Sequence, residues 1–106
     1  MLELTKENFD QEVLAAKGVV FIDFWSQKCE QCIELLPEIE AFAERNADKA
    51  KFCKLDAASN RRLSIAQKVM GLPAFVFYNN GERTFMFDAG SIDVEAMQAK
   101  LDELTG

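Results

Sequence analysis

Two cysteines separated by two residues, Cys29 and Cys32, are the residues whose types and spacing most directly suggest chemistry. They follow closely after an apolar run at residues 19–25 that is typical of a buried strand. A CxxC pair between a strand and a helical pattern, in a chain without a secretory leader at its start, favours a redox dithiol over a structural crosslink. The sequence therefore predicts a redox reaction site at the exit of this strand.

Half of a zinc site is the main alternative for such a pair. The sequence has no histidine and only one further cysteine, Cys53, so a tetrahedron of Cys and His ligands cannot be completed. We therefore expect no metal. Cys53 lies beside Phe52 in a strand-like run, which predicts a packing role for its thiol. A regulatory or dimer-forming thiol is the alternative.

Length and charge limit the remaining classes of function. A chain of 106 residues is enough for one compact domain. Twelve basic against eighteen acidic residues give a formal charge of −6, which argues against nucleic acid and anionic membranes as partners. No apolar stretch approaches the roughly 20 residues that span a bilayer, and the N-terminus lacks a basic and apolar leader. With an odd cysteine count, these features predict a cytoplasmic protein.

The elements before and after the dithiol follow from hydrophobic periodicity. Thr5 can cap a helix over residues 6–17, and the next run, 19–25, predicts a central strand covered on both faces. Apolar residues at helical spacing after the cysteines predict an amphipathic helix, which should bend at Pro37 without ending. Residues 51–56 predict a second strand.

The second half of the sequence adds a helix, a hairpin and a last helix. Ser59 can open a helix that Gly71 closes. Residues 74–78 and 83–87 favour strands joined by a turn containing Asn-Gly, and Ser91 can cap the final helix. With a short edge strand at residues 2–4, this order predicts an α/β fold, a mixed β-sheet flanked by helices on both faces.

The sequence resembles the thioredoxin family over nearly its whole length. The matching features are Asp23-Phe24-Trp25 before the cysteines, Pro37 five residues after the second cysteine, Lys54 on the middle strand, Gly71-Leu72-Pro73, the Asn80-Gly81-Glu82 hairpin, and Gly90 before the last helix. The resemblance implies the thioredoxin fold, with parallel strands and a C-terminal antiparallel hairpin, in a single domain over residues 1–106. It also implies a thiol-disulfide oxidoreductase that reduces protein disulfides through a mixed-disulfide intermediate.

By the same resemblance, Cys29 is the nucleophile and Cys32 the resolving thiol. A thiolate at a helix N-terminus has a lowered pKa, which supports this order. Asp23 is then the proton relay and Lys54 its charged neighbour, although a structural role for Asp23 stays open. The family also implies a cis bond before Pro73 and no cofactor other than the Cys29–Cys32 disulfide.

The resemblance further implies a substrate-binding surface and partners. The implied partners are disulfide-containing proteins and a thioredoxin reductase, with the protein itself a monomer. The surface residues are Trp25, Lys28, Glu30, Gln31, Leu72, Pro73 and Gly90.

This sequence departs from the usual Trp-Cys-Gly-Pro-Cys pattern of the family, because it has Lys28-Cys29-Glu30-Gln31-Cys32. Lys28 in place of the tryptophan, and Ala74 where threonine commonly follows the matching proline of the family, predict a changed choice of partner. Two alternatives to a general reductase therefore stand. One is a specialised electron carrier to a dedicated reductase partner, and the other is a redox-silent binding module.

Overall fold

The computed structural model describes residues 1–106 and contains five strands and four helical segments. The strands are β1 (Leu2–Leu4), β2 (Val19–Trp25), β3 (Lys51–Asp56), β4 (Ala74–Asn79) and β5 (Glu82–Asp88). The helices are a short π-helical segment (Asp10–Leu14), α1 (Glu30–Arg45), α2 (Arg61–Ala66) and α3 (Val94–Thr105). No helix is both long and apolar enough to cross a membrane.

The five strands form one sheet in the order β1-β3-β2-β4-β5. β1, β3 and β2 run parallel, whereas β4 is antiparallel to both β2 and β5. The C-terminal ends of β2, β3 and β5 therefore meet the N-terminal end of β4 at one edge of the sheet. The prediction of a mixed sheet with helices on both faces is confirmed.

Alternate residues of the strands supply two separate cores. One face, under the π-helical segment and α2, buries Leu4, Phe9, Val13, Val20, Ile22, Phe24, Cys53, Leu55, Val69, Ala74, Val76 and Tyr78. The other face, under α1 and α3, is rich in phenylalanine and buries Val19, Phe21, Ile39, Phe42, Ala43, Phe52, Phe75, Phe77, Phe87, Met97 and Leu101. Phe21 lies at the centre of this second core, with four phenylalanine rings whose centroids are 5.2 to 5.7 Å from its own. The alternation explains why β2 is apolar at almost every position.

The hairpin between β4 and β5 has the predicted chemistry. Asn80 and Gly81 both have positive φ angles, 52° and 84°, as a tight turn with a two-residue loop requires. The Asn80 side chain accepts a hydrogen bond of 2.8 Å from the backbone N–H of Gly18, and Gly18 in turn accepts one of 2.9 Å from Asn80. The turn is therefore tied to the loop that precedes β2.

Three predicted helix starts or ends are wrong. The first helix does not extend over residues 6–17, because the helical segment covers only Asp10–Leu14. Thr5 does cap the turn that precedes it: its Oγ1 accepts from the Glu7 N–H at 3.2 Å, and its own N–H donates to Asn8 Oδ1 at 2.7 Å. Ser59 does not cap α2, since its own N–H and hydroxyl are bound by the Asp56 carboxylate. Ser91 does not cap α3, because its hydroxyl accepts from the Asp88 N–H.

Other residues take those positions. Asp93 is the N-cap of α3 and accepts a hydrogen bond of 3.0 Å from the Glu95 N–H. Asn60 is the N-cap of α2 but makes no side-chain hydrogen bond to it. α2 ends at Ala66, well before Gly71, and Lys68 is the residue after it that adopts a positive φ, of 64°. Ser, Asn and Asp compete as local acceptors within a few residues of one another, so hydrogen-bond geometry decides among them. α1 continues through Pro37, as predicted.

Candidate active site

The two cysteines lie between the end of β2 and the first turn of α1. They form a disulfide with a Cα–Cα distance of 5.2 Å. Cys29 is the N-cap of α1, and its sulfur accepts a hydrogen bond of 3.2 Å from the backbone N–H of Cys32. Cys29 is half-buried, whereas Cys32 is only 4% exposed. One sulfur is thus open to a reaction partner, and the other lies inside the first turn.

The position of Cys29 has a chemical consequence for the reduced protein. The first backbone N–H groups of a helix have no intrahelical acceptor, and the helix dipole places partial positive charge there. Both effects favour a thiolate over a thiol. The loop before the helix is held as well, because the Cys29 N–H donates to the Ser26 carbonyl at 3.2 Å.

Asp23 is a buried carboxylic acid on β2, only 2% exposed. It pairs in register with Lys54 of β3 and Phe75 of β4, and it belongs to the sheet face that carries Phe21. Burial raises its pKa from an ordinary 3.8 to about 7, although the positive charge of Lys54 opposes the shift. Asp23 Oδ1 has no hydrogen-bond partner. The side chain can therefore hold or release a proton near neutral pH.

Lys54 and Trp25 are neighbours of Asp23 in the sheet: Lys54 lies opposite it on β3, and Trp25 follows it by two residues on β2. The Lys54 ammonium lies 5.7 Å from the centroid of the Trp25 ring, within the range of a cation–π interaction. Lys54 makes no ion pair with Asp23. The indole N–H of Trp25 is buried and has no hydrogen-bond acceptor within the chain.

The segment that contains Met70, Gly71 and Leu72 lies next to the dithiol edge of the sheet and ends in a cis bond between Leu72 and Pro73. Phe24 pairs with Ala74 in antiparallel register, so Pro73 lies beside Trp25, the last residue of β2. The backbone N–H and C=O groups of Gly71 and Leu72 have no hydrogen-bond partner within the protein. These groups are free to bind an extended chain.

Two cavities flank this segment. A cavity of about 370 Å³ lies toward α2 and is lined by Ser26, Ala57, Ala58, Arg61, Ser64, Ile65, Val69, Met70, Gly71 and Leu72. A second, of about 440 Å³, lies toward β5 and is lined by Lys68, Met70, Gly71, Leu72, Met86, Asp88, Ala89 and Gly90. Leu72 contributes to both.

The structure brings most of the predicted site residues to one edge of the sheet. The two cysteines, Cys29 and Cys32, follow the end of β2 there, and Pro73 precedes the start of β4, which pairs with it. Gly90 lines the second cavity. Lys28 is exposed next to the first cysteine. Glu30 and Gln31 are also exposed, in the first turn of α1.

Sequence reasoning missed the cavity on the α2 side. Its residues Arg61, Ile65 and Met70 are separated in sequence from the cysteines and belong to no motif. The one available signal was Met70, an apolar residue just before Gly71-Leu72-Pro73. No cluster of three or more His, Cys, Asp or Glu side chains forms a metal site.

Comparisons with known proteins identify the family. The sequence profile described as Thioredoxin matches residues 1–103. The chain is 41% identical over 103 residues to a thioredoxin from Acetoanaerobium sticklandii, an alignment that covers 94% of this chain and 98% of the relative. It is 38% identical over 103 residues to a thioredoxin from Peptoclostridium acidaminophilum, with 94% of each chain covered.

A solved structure gives the same result for the fold. A mutant thioredoxin from Halobacterium salinarum superimposes with a TM-score of 0.86 at 28% identity, covering 99% of this chain and 90% of the other. The profile and the relatives extend over almost the entire chain, and the paired cysteines lie at the exposed edge of the sheet. The protein therefore belongs to the thioredoxin family and is a thiol-disulfide oxidoreductase.

Proposed function

We propose that Cys29 is the attacking thiol and Cys32 the resolving thiol in the reduction of protein disulfides. The Cys29 thiolate attacks one sulfur of the target disulfide, a mixed disulfide forms, and the other target sulfur leaves as a thiolate that takes up a proton. Cys32 loses its proton and attacks Cys29 Sγ, which releases the second target sulfur and forms the Cys29–Cys32 disulfide. The observation that carries this order is the exposure of Cys29 against the burial of Cys32.

Asp23 is the proposed acceptor of the Cys32 proton. A general base works best when its pKa lies near the working pH, and burial gives Asp23 a pKa of about 7. Both residues are buried, so the proton needs an internal acceptor or a path through water. Lys54, opposite Asp23 in the strand register, lowers that pKa and limits the effect of burial.

The surface around the dithiol is the proposed binding site for the substrate chain. The free backbone groups of Leu72, next to Pro73, are suited to pair with an extended segment. Gly90 lines the cavity beside that segment, and Trp25 ends β2 one residue after the Phe24–Ala74 pair. Lys28 and Glu30 set the charge around the cysteines, and Gln31 is an exposed neutral neighbour.

The electrons are proposed to come from a reductase of the thioredoxin reductase class, with a monomer acting alone. In this scheme the Cys29–Cys32 disulfide is the redox group. We predict that no metal or other cofactor takes part. A net charge of −6 supports the prediction that nucleic acid and membrane are not partners. We place the reaction in the cytoplasm, where thiols are kept reduced.

Turnover of a protein disulfide in dithiothreitol, followed with insulin as the substrate, tests the assignment. Cys29→Ser should abolish turnover, whereas Cys32→Ser should accumulate a mixed disulfide detectable by mass. Cys53→Ser is the matched control, because Cys53 is fully buried in the opposite core and should leave turnover unchanged. Activity in the Cys29→Ser variant would show that the nucleophile is assigned wrongly.

A dedicated electron carrier is the second candidate. The observation that favours it is the exposed pair of unlike charges, Lys28 and Glu30, on either side of Cys29, where the family usually has a flatter apolar surface. The potential of the dithiol, measured in glutathione buffers, separates the two. A value near about −270 mV is expected of a general reductant, and one nearer about −200 mV indicates a specialised carrier.

A further inference from the structure

The cavity on the α2 side of Leu72 is lined by two exposed large apolar side chains. Met70 and Ile65 are the most exposed large apolar side chains of the protein, at 78% and 46%, and both line it. Large exposed apolar side chains that share one concave surface are typical of an interaction site. At about 370 Å³, the cavity is at the small end of the range for binding sites and suits one or two side chains.

Arg61 is the one charged residue that lines this cavity. It is exposed and makes no ion pair or hydrogen bond within the protein. The nearest acidic residue in sequence, Asp56, already accepts from the N–H groups of Ala58 and Ser59. The guanidinium is thus available to a partner.

The charge around the dithiol is divided between two sides. The exposed face of α1 carries Glu30, Glu34 and Glu38, none of which forms an ion pair. On the other side, α2 begins with Arg61 and Arg62. Arg61 is therefore the single charge on the lining of the cavity, and it favours a carboxylate over an ammonium group there.

The cavity is continuous with the reaction site. Ser26, whose carbonyl accepts from the Cys29 N–H, lines the cavity, and so does Leu72, which precedes the cis bond to Pro73. A substrate segment joined to Cys29 in a mixed disulfide can therefore reach the cavity within a few residues of its cysteine.

We infer that this cavity selects protein substrates in which an apolar residue adjacent to an acidic residue lies close to the reactive cysteine. The apolar side chain packs against Ile65 and Met70, and the carboxylate pairs with Arg61. The inference rests on the proposed role of Cys29 and adds a substrate preference to it.

A thiol exchange equilibrium tests this preference without a physiological substrate. The Cys32→Ser variant is first linked at Cys29 to glutathione and then mixed with a short cysteine peptide. The peptide thiolate attacks Cys29 Sγ, the bond to glutathione breaks, and glutathione leaves and is protonated, so one disulfide replaces another with no net oxidation. The peptides carry the pair Leu-Glu, Leu-Lys or Ser-Glu next to the cysteine. Each pair is tested both before and after the cysteine, because the bound peptide could run in either direction over the cavity.

We expect the Leu-Glu peptide to displace glutathione roughly two- to fivefold better than Leu-Lys, as for an exposed ion pair. It should exceed Ser-Glu by about tenfold, because the apolar side chain is removed from water. Arg61→Glu should reverse the preference for Glu over Lys, and Met70→Ser should reduce the preference for Leu over Ser. Lys17→Glu is the matched control, since it makes the same change of charge before the start of β2, at the opposite end of that strand.

Comparison of each variant with each peptide measures the coupling directly, so a small change in stability does not obscure it. Equal exchange of all peptides, or an equal response to Arg61→Glu and Lys17→Glu, contradicts the proposed preference while leaving the role of Cys29 intact. Failure of Cys29 to exchange with glutathione at all contradicts the proposed mechanism, and the substrate preference with it.

Discussion

Asp23→Asn should change how the stability of the oxidised protein depends on pH. In the unfolded chain this carboxyl ionises at its ordinary pKa of 3.8, whereas burial raises the value in the folded protein to about 7. Between these values the folded state binds more protons than the unfolded state, so the free energy of unfolding falls as the pH rises. The loss begins near pH 4 and is complete once the pH exceeds about 7.

The size of the effect follows from the same two values. The interval from 3.8 to about 7, at 1.36 kcal/mol per pKa unit, corresponds to about 4 kcal/mol. Asparagine does not titrate, so the Asp23→Asn variant does not lose this stability as the pH rises. The amide has its own cost of about 1 to 3 kcal/mol, because no partner is available where Asp23 Oδ1 now lies unpaired, but that cost does not depend on pH. The quantity to measure is therefore the pH dependence of the difference in free energy of unfolding between Asp23→Asn and the parent protein.

Urea denaturation of both oxidised proteins between pH 4 and pH 8.5 measures this slope. We expect the variant to gain about 4 kcal/mol relative to the parent over that range. Asp48→Asn, at an exposed carboxylate between α1 and β3, is the matched control and should give parallel curves. Parallel curves for Asp23→Asn as well would refute the argument from burial. Turnover by Asp23→Asn should also be slower near neutral pH, and an unchanged rate would make Asp23 structural.

Three further predictions concern residues outside the reaction site. Gly81→Ala should lower the free energy of unfolding by more than about 1 kcal/mol, because Gly81 has a φ of 84° and an added Cβ would collide with the Leu14 carbonyl oxygen. Gly18→Ala, with a similar φ but open space around it, should cost less in the same urea titration. Asn46→Ala should destabilise by about 1 to 3 kcal/mol in thermal unfolding. This buried amide donates to the Phe42 carbonyl of α1 at 2.8 Å and exchanges two hydrogen bonds of 2.9 Å with Gln98 of α3, and an unchanged Tm would contradict its role. Cys53 should react with iodoacetamide at pH 8 only as the protein unfolds in urea, because burial removes access and raises its pKa to about 11; labelling in the native state at the rate of a free thiol would disprove its packing role.

The sequence by itself determined the sheet and the location of the dithiol. β2 and β3 have the predicted bounds, since continuous or alternating apolar runs fix a strand through burial of its side chains. The Asn-Gly turn was equally predictable, because few residues accept two consecutive positive φ angles. A CxxC pair soon after such a strand also indicates its function, because two intervening residues place the second cysteine in the first turn of the helix that follows, beside the first.

The tertiary structure alone decided which residues surround the dithiol and how their charges behave. Helix starts at Ser59 and Ser91 were predicted wrongly, because neighbouring side chains compete for the same backbone groups and only the folded geometry selects one. The cavity lined by Arg61, Met70 and Leu72 also includes Ser26, and this long-range contact between α2 and the end of β2 has no local sequence pattern. The raised pKa of Asp23 likewise depends on desolvation by the folded protein around it, which no sequence motif records.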